Sequence, residues 1–442
     1  MTQRSEQDLA RTLRAAAGLA PEPVADLTVA VAARRRSRRR ARVRTTLVVA
    51  GVAVAVGCGT VVAAGSFPFR GGEGGTVGVA VATPTPSEIP STTPEGASMK
   101  VKPAAEVWPE AVFKMPAKAA DGWRYRPVTA LSPTEVLLFA ESSFEKAGRL
   151  EVYDQTTKRF SVLAETPPTE GLKKYFIQEA EVDSRNIAYY ATAQKPDGTP
   201  VAEFWVVPRS GGKPTLVTTI DGEQAADVVS VALAGDHLAW SLRKGGVYRV
   251  PLAGGDAEKV PGSDGLQVLS WPWAADARAI GDEPGPGNQS RLLNLETGER
   301  RSIENADGLK LLRCGPALCY GNRDGGRTPA GVVQGVDGAD RRELPGLDGD
   351  GSPPIADRFV LFGGINAVEG GQDDPASAPV AVIYDRVTGT LGGIGFRTKD
   401  GSGGYGRGTS SSPSLIFYWG VDRLDKPAEY WVLNLAAVHS AE

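Results

Sequence analysis

From about residue 125 to the C-terminus the chain repeats one pattern: an apolar run, a polar gap, a second apolar run and a turn bearing Gly or Asp. The first run reads EVLLFAE from Glu135, NIAYYAT from Asn186, HLAWSLR from His237 and ARAIGDE from Ala277. It continues as ALCYGNR from Ala317, RFVLFGG from Arg358 and SLIFYWG from Ser414. Successive starts lie 51, 51, 40, 40, 41 and 56 residues apart, near the period of a four-stranded propeller blade.

The second run follows at a near-constant offset, as in LEVYDQTTKRFSVL from Leu150, VYRVPLAGGDAEKV from Val247 and VAVIYDRVTGTLGGI from Val380. Its alternation of apolar and polar residues predicts half-buried strands, and the central SGG, AGG, ETG, VDG and VTG predict hairpins whose glycines take positive φ. A further β-like stretch precedes each first run, such as FIQEAEV from Phe176 or DVVSVAL from Asp227. Three to four strands per unit in seven units predict an all-β, seven-bladed β-propeller over residues 107–438. Two β-sandwiches would leave seven copies in series unexplained.

A ring must join its first and last blades or leave strand edges unpaired. The seventh unit ends at EYWVLNLAAV from Glu429 with few residues left, while VWPEAVFKM, Val107 to Met115, has no other assignment. That segment is expected to pair with the last blade and complete it.

These blade units resemble the TolB-type and WD-repeat-like propellers, whose outer hairpin often reads as an apolar pair, then Asp or Pro, then Gly-Gly. The resemblance covers roughly the last three-quarters of the chain and implies the fold alone. The Gly-His and Trp-Asp signatures of true WD repeats are missing.

Ahead of the propeller the composition changes three times. Residues 1–46 hold 11 Arg and no Lys against Glu6, Asp8, Glu22 and Asp26, a formal +7. The remainder then carries 38 basic and 48 acidic residues, so the net charge of −3 hides a divided molecule. The acidic balance of that remainder gives no nucleic-acid footprint. The run RRRSRRRARVR, Arg34 to Arg44, abuts an uncharged Val- and Ala-rich stretch from Leu47 to Gly65. A helix over residues 47–66 would be about 30 Å long, enough to span a bilayer. The arginines on its N-terminal flank place that side in the cytoplasm and the propeller outside. Two processing readings compete: a cleaved signal peptide, or a lipoprotein with its modified cysteine at Cys58. Against the first, 44 residues precede an over-long core; against the second, Ala55-Val56-Gly57 lacks the usual leucine.

Residues 67–106 read as a flexible linker, with GGEGG followed by TPTPSEIPSTTPEG. Such a stretch buries too little apolar surface to offset its backbone entropy. In residues 1–46, Ser5 and Asp8 suggest a capping box ahead of LARTLRAAAGL, ended by Gly18 and Pro21. The layout resembles single-pass actinobacterial membrane proteins encoded beside extracytoplasmic-function sigma factors, which implies an anti-sigma-like role and a cytoplasmic sigma-factor partner. The zinc-binding form of that domain needs His and paired Cys, which residues 1–46 lack. The plainer reading is a topogenic tail whose arginines meet anionic lipid.

Cys314 and Cys319 flank the turn of LLRCGPALCYG in the fifth unit, where facing positions come close enough for a structural disulfide; free thiols are the alternative. Two histidines, His237 at a strand start and His439 in a tail expected to fray, make a Ser-His-Asp triad or a His-rich metal site improbable. LDGDGS from Leu347 sets Asp348 and Asp350 in a loop loosely like a calcium loop but short of its ligand set. Gly392 to Gly408, GGIGFRTKDGSGGYGRG, is expected to be a rim loop of the last blade. No catalytic, cofactor-binding or metal-ligating residue is assigned, and no cofactor. The expectation is a non-catalytic binding or scaffold module for a protein, glycan or cell-wall ligand at the channel face. A transmembrane signalling protein and a propeller lyase or cyclase are the alternatives. The enzyme would show titratable groups converging on the channel with shifted pKa values.

Overall fold

The computed structural model describes residues 101–142, 148–276, 287–323, 329–363, 379–397, 403–421 and 427–439, all within the unit running from Pro90 to Glu442. The basic segment 1–46, the predicted span 47–66 and the linker as far as residue 100 lie outside the described residues. Among the described residues no helix is long and apolar enough to cross a membrane.

Seven sheets of four or five strands follow one another along the chain, beside one two-stranded ribbon. Each blade runs from an innermost strand outward through antiparallel neighbours; in the first these are Arg124–Ala130, Glu135–Glu141, Gly148–Asp154 and Arg159–Thr166. The fold is an all-β seven-bladed propeller.

Closure is visible in the last sheet. Val112–Pro116 pairs antiparallel with Glu429–Asn434, with Met115 opposite Tyr430, so an N-terminal strand supplies the missing outer strand of the seventh blade. The pairing overlaps the segments expected for it, but begins later and runs one residue further, to Pro116 opposite Glu429. Ala104–Val107 is a short helix instead. Just before it, Lys102–Pro103 pairs parallel with Gly392–Gly393 as a fifth strand of the sixth blade. Val101 and Ala104 are buried there, so the last residues assigned to the linker belong to the ring.

The hydrophobic core is divided among the joints between blades. One apolar cluster occupies each joint, including that between seventh and first, where Met115, Tyr430 and Val432 meet Tyr125, Val136 and Leu138. Strand periodicity explains the division. Along the second strand of the first blade, Leu137 and Phe139 face the second blade while Val136, Leu138 and Ala140 face the seventh. The second strands are therefore buried on both faces. Of the second runs, whose alternation predicts half-burial, those of the first, fifth and sixth blades are buried on both faces too, while Val247–Pro251 of the third stays half-buried. A strand covered on both sides needs a continuous apolar run, and each fully covered Leu contributes roughly 1.5–3 kcal/mol.

The hairpin glycines behave as their positions require: Gly211, Gly254, Gly298, Gly338 and Gly389 lie at φ between +69° and +90°. In the first blade Lys158 takes the same role at +57°.

Two expectations need correction. In the fourth blade the second strand is Trp273–Asp276, whereas the run expected from Ala277 lies outside the described residues. The Gly-rich stretch 392–408 is no simple rim loop. It contributes Gly392–Gly393 to the sixth blade, Phe396–Arg397 and Gly403–Gly404 to the ribbon, and Gly406–Arg407 to the seventh blade as its innermost strand. Glycine is used because aromatic rings lie flat on the backbone: a Cβ at Gly392 would overlap Trp108, and one at Gly406 would overlap Tyr418.

Candidate functional site in the propeller channel

After Gly406–Arg407 the chain crosses the channel before returning as the second strand of the seventh blade, Ile416–Gly420. The crossing segment, Thr409 to Ser412, is bonded to three other innermost strands. The Thr409 amide donates to Pro127 O of the first blade at 3.0 Å. In the second blade, the Ala180 amide donates to Thr409 O at 3.1 Å and Ser411 N donates to Ala180 O at 3.0 Å. In the third, the Val231 amide donates to Ser411 Oγ at 2.9 Å. A Thr-Ser-Ser-Ser sequence suits this position because small hydroxyl side chains fit a narrow channel and both donate and accept.

The strap is also held by two carboxylates. Glu179 and Glu181 stand two residues apart on the innermost strand Lys173–Val182. Ser411 Oγ donates to Glu179 Oε2 at 2.9 Å, and the Ser412 amide donates to Glu181 Oε2 at 2.8 Å. Both side chains keep some contact with water, yet protein encloses them on nearly every side. That desolvation pushes each carboxyl up to about 7, opposed by the serine hydrogen bonds; the Glu181 charge raises Glu179 further. The neighbouring cation, Arg126, is engaged elsewhere: it binds Glu141 at 2.8 Å and the carbonyls of Gln178 and Ile177 at 3.0 and 2.9 Å.

Across the channel, Asp350 of the loop that loosely resembles a calcium loop accepts from Tyr320 Oη at 2.8 Å and from the Ser352 amide at 3.0 Å. Arg407 lies 3.3 Å from its other oxygen and donates to Ser352 Oγ at 2.6 Å. This carboxylate joins the fifth, sixth and seventh blades. Among the described residues no group of three or more His, Cys, Asp or Glu side chains is placed to hold a metal ion.

Opposite the blades that grip the strap, a cavity of about 210 Å³ remains. The fourth blade lines it with Gln267, Val268, Leu269, Ala275, Asp276 and Gln289; Arg313, Gly351, Pro353 and Ser411 come from the other three blades. Gln289 is 7 % exposed and Arg313 6 %. Gln289 Oε1 accepts from the Cys314 amide at 2.8 Å, which settles the amide orientation and leaves Nε2 without an acceptor among the described residues. Gln267 is set the opposite way round: its Nε2 donates to Leu242 O and Arg243 O at 3.2 and 2.9 Å, and its Oε1 has no donor among them.

Cys314 and Cys319 form a disulfide with Cα atoms 4.0 Å apart, opposite each other in the hairpin of the fifth blade. The bridge is fully buried and lies directly behind the cavity through the Gln289 contact. His237 opens its strand with Nδ1 2.5 Å from Asp236 Oδ1. His439 has its ring exposed, but its backbone is not frayed: Arg358 donates to its carbonyl at 3.0 Å and to Val438 O at 2.9 Å. Only the carboxylates of FIQEAEV had a readable sign in the sequence, two acidic groups at strand spacing inside an apolar innermost strand. Gln267, Gln289 and Arg313 had none.

No family model matches this chain, nor does any curated protein. Solved structures match loosely. An uncharacterized protein, lmo1340 from Listeria monocytogenes EGD-e, is 11% identical over 61% of this chain and 82% of its own, with a TM-score of 0.39. The C-terminal WD40 domain of Sif2 is 12% identical over 73% and 82%, at 0.35. An oligogalacturonate lyase in complex with manganese is 10% identical over 76% and 88%, at 0.32. WD40 domains and propeller enzymes both stand among these structures, and the fold of this chain rests on its own strand pairing.

Proposed function

We propose that this chain is a membrane-tethered, extracytoplasmic β-propeller that binds a protein or cell-envelope polymer at its channel face and performs no chemistry on it. The observation that carries the reading is the channel cavity, where the Gln289 donor and the Gln267 acceptor have no partner among the described residues and stand in a largely polar lining. Ligand sites in globular proteins are largely pre-formed concave surfaces with a few convergent polar groups. At about 210 Å³ the cavity suits one terminal group of a larger ligand. The tether rests on the arginines of 34–44 followed by the uncharged stretch 47–66.

A second reading, a propeller lyase, is favoured by Glu179 and Glu181, whose carboxyls near 7 lie where a general base is effective. Against it, the strap occupies both carboxylates, with Ser411 on Glu179 and Ser410 and Ser412 on Glu181.

Two measurements test the proposal. Protease added to intact spheroplasts should remove the propeller and spare a tag at Met1; loss of the tag overturns the topology. The full chain should sediment with isolated cell-wall polymer, and Val268→Trp, which fills the cavity, should abolish this. Equal sedimentation of both proteins, or release of soluble sugar from the polymer, overturns the binding reading.

A further inference from the structure

The charged groups of the cavity are already committed. Asp276 accepts from the Ser290 amide at 3.0 Å, from Ser290 Oγ at 2.9 Å and from the Arg291 amide at 3.3 Å. Arg313 donates to Gly351 O at 3.0 Å, Gly287 O at 2.5 Å and Leu312 O at 3.1 Å. Their formal charges cancel, and carbonyls and amides that never leave the site already neutralise much of each. Ser411 donates to Glu179 and accepts from the Val231 amide. Among the described residues, the side-chain groups left for a ligand include one amide N–H donor, Gln289 Nε2, and one amide acceptor, Gln267 Oε1.

Around these two groups the lining is mixed and more polar than apolar: Val268, Leu269, Ala275 and Pro353 contribute the carbon surface, and Val268 and Leu269 also pack into the joints on either side of the fourth blade. A phosphate or carboxylate entering here would lose its hydration and find one uncommitted donor. An ammonium group would find one uncommitted acceptor. Burying either charge under those conditions is costly. A group that has no charge, carries its own donors and acceptors and presents some C–H surface suits a lining that is polar with a minor aliphatic share. From this juxtaposition we infer that the cavity is a subsite for a neutral, hydroxyl- and amide-bearing sugar residue. The inference rests on the binding reading above and names the ligand class for the same site.

The test uses the full-length chain and three small probes, N-acetylglucosamine, inorganic phosphate and 1,4-diaminobutane, followed by ligand-observed NMR. N-acetylglucosamine should show saturation transfer; phosphate and the diamine should show none. Gln289→Glu keeps the acceptor for the Cys314 amide while replacing the donor by a carboxylate, so it should weaken sugar binding at least about tenfold. Val268→Trp, which leaves both polar groups in place, should abolish it by filling the space. Phosphate binding that Gln289→Glu removes, or diamine binding that Val268→Trp removes, would overturn the neutral class while leaving a ligand site in the channel. Sugar binding unchanged in both variants would place it elsewhere and overturn the inference. Silence from all three probes also overturns it; polymer sedimentation that still responds to Val268→Trp would leave the binding module standing with a different ligand.

Discussion

Ser411 Oγ donates to Glu179 Oε2 at 2.9 Å, and through that bond the seventh blade grips the second across the axis of the ring. Ser411 also lines the cavity, so the contact that fills one side of the channel borders the site on the other.

The grip should make stability depend on pH. Desolvation lifts Glu179 and Glu181 from an ordinary 4.5 to about 7 in the folded protein. The folded state therefore holds protons that the unfolded chain releases above about 4.5. The contribution to stability is fully present below that pH and is lost as pH rises through 7. The double variant Glu179→Gln, Glu181→Gln keeps acceptors for the serines. It should be more stable than the parent at pH 8, by on the order of 2 kcal/mol, with no gain at pH 4. Urea midpoints at the two pH values check this; equal gains at both would refute the assignment.

The end of the chain should depend on one ion pair. Arg358 binds Asp385 at 2.9 and 2.7 Å, and the Asp385 side chain is fully buried. Desolvation works to raise the Asp385 pKa, but the hydrogen bonds of Arg358, Thr388 and the Val387 amide prevail and hold it below the usual range. Its contribution to stability is present at neutral pH and is lost as pH falls through that lowered value. Asp385→Ala orphans Arg358 and should cost about 3–5 kcal/mol. Hydrogen exchange around Val438 should quicken in the same variant, because Arg358 also holds that carbonyl.

Closure by residues outside the repeats predicts a loss across the whole ring. Deleting residues 101–116 removes the partner of Glu429–Asn434 together with Met115, which is fully buried. It leaves an unpaired edge and opens the joint between first and seventh blades. The melting temperature of the described domain should drop by many degrees, in one transition. An unchanged melting temperature would show that the closing strand contributes nothing.

The Cys314–Cys319 bridge closes a short loop, so its removal should cost little in chain entropy, about 2 kcal/mol. Its nearer effect should be on the cavity, since the Cys314 amide orients Gln289. In the double variant to Ser, sugar binding should fall more than the melting temperature does. Mass spectrometry of the untreated protein should find neither thiol open to alkylation.

Much of the fold was legible because its causes are local. A continuous apolar run such as that of EVLLFAE sets a strand whichever blade it joins, and Gly211 or Gly254 sets a hairpin by its own φ. Seven such units and an unassigned VWPEAVFKM sufficed to count the blades and to find the strand that closes them. The facing of Cys314 and Cys319 followed from one hairpin.

The channel was not legible, and the reason is sequence separation. Glu179 meets Ser411 across 232 residues, and Arg313 meets Gly351 from a different blade; neither pairing leaves a mark in either segment. The stretch 392–408 looked like a loop because its glycines signal flexibility when read alone, whereas in the ring they make room for Trp108 and Tyr418. Residue order determined the strands, their number and their closure, since these depend on neighbours in the chain. Which polar groups converge at the axis, and which of them remain free for a ligand, was decided only when the ring brought seven innermost strands together.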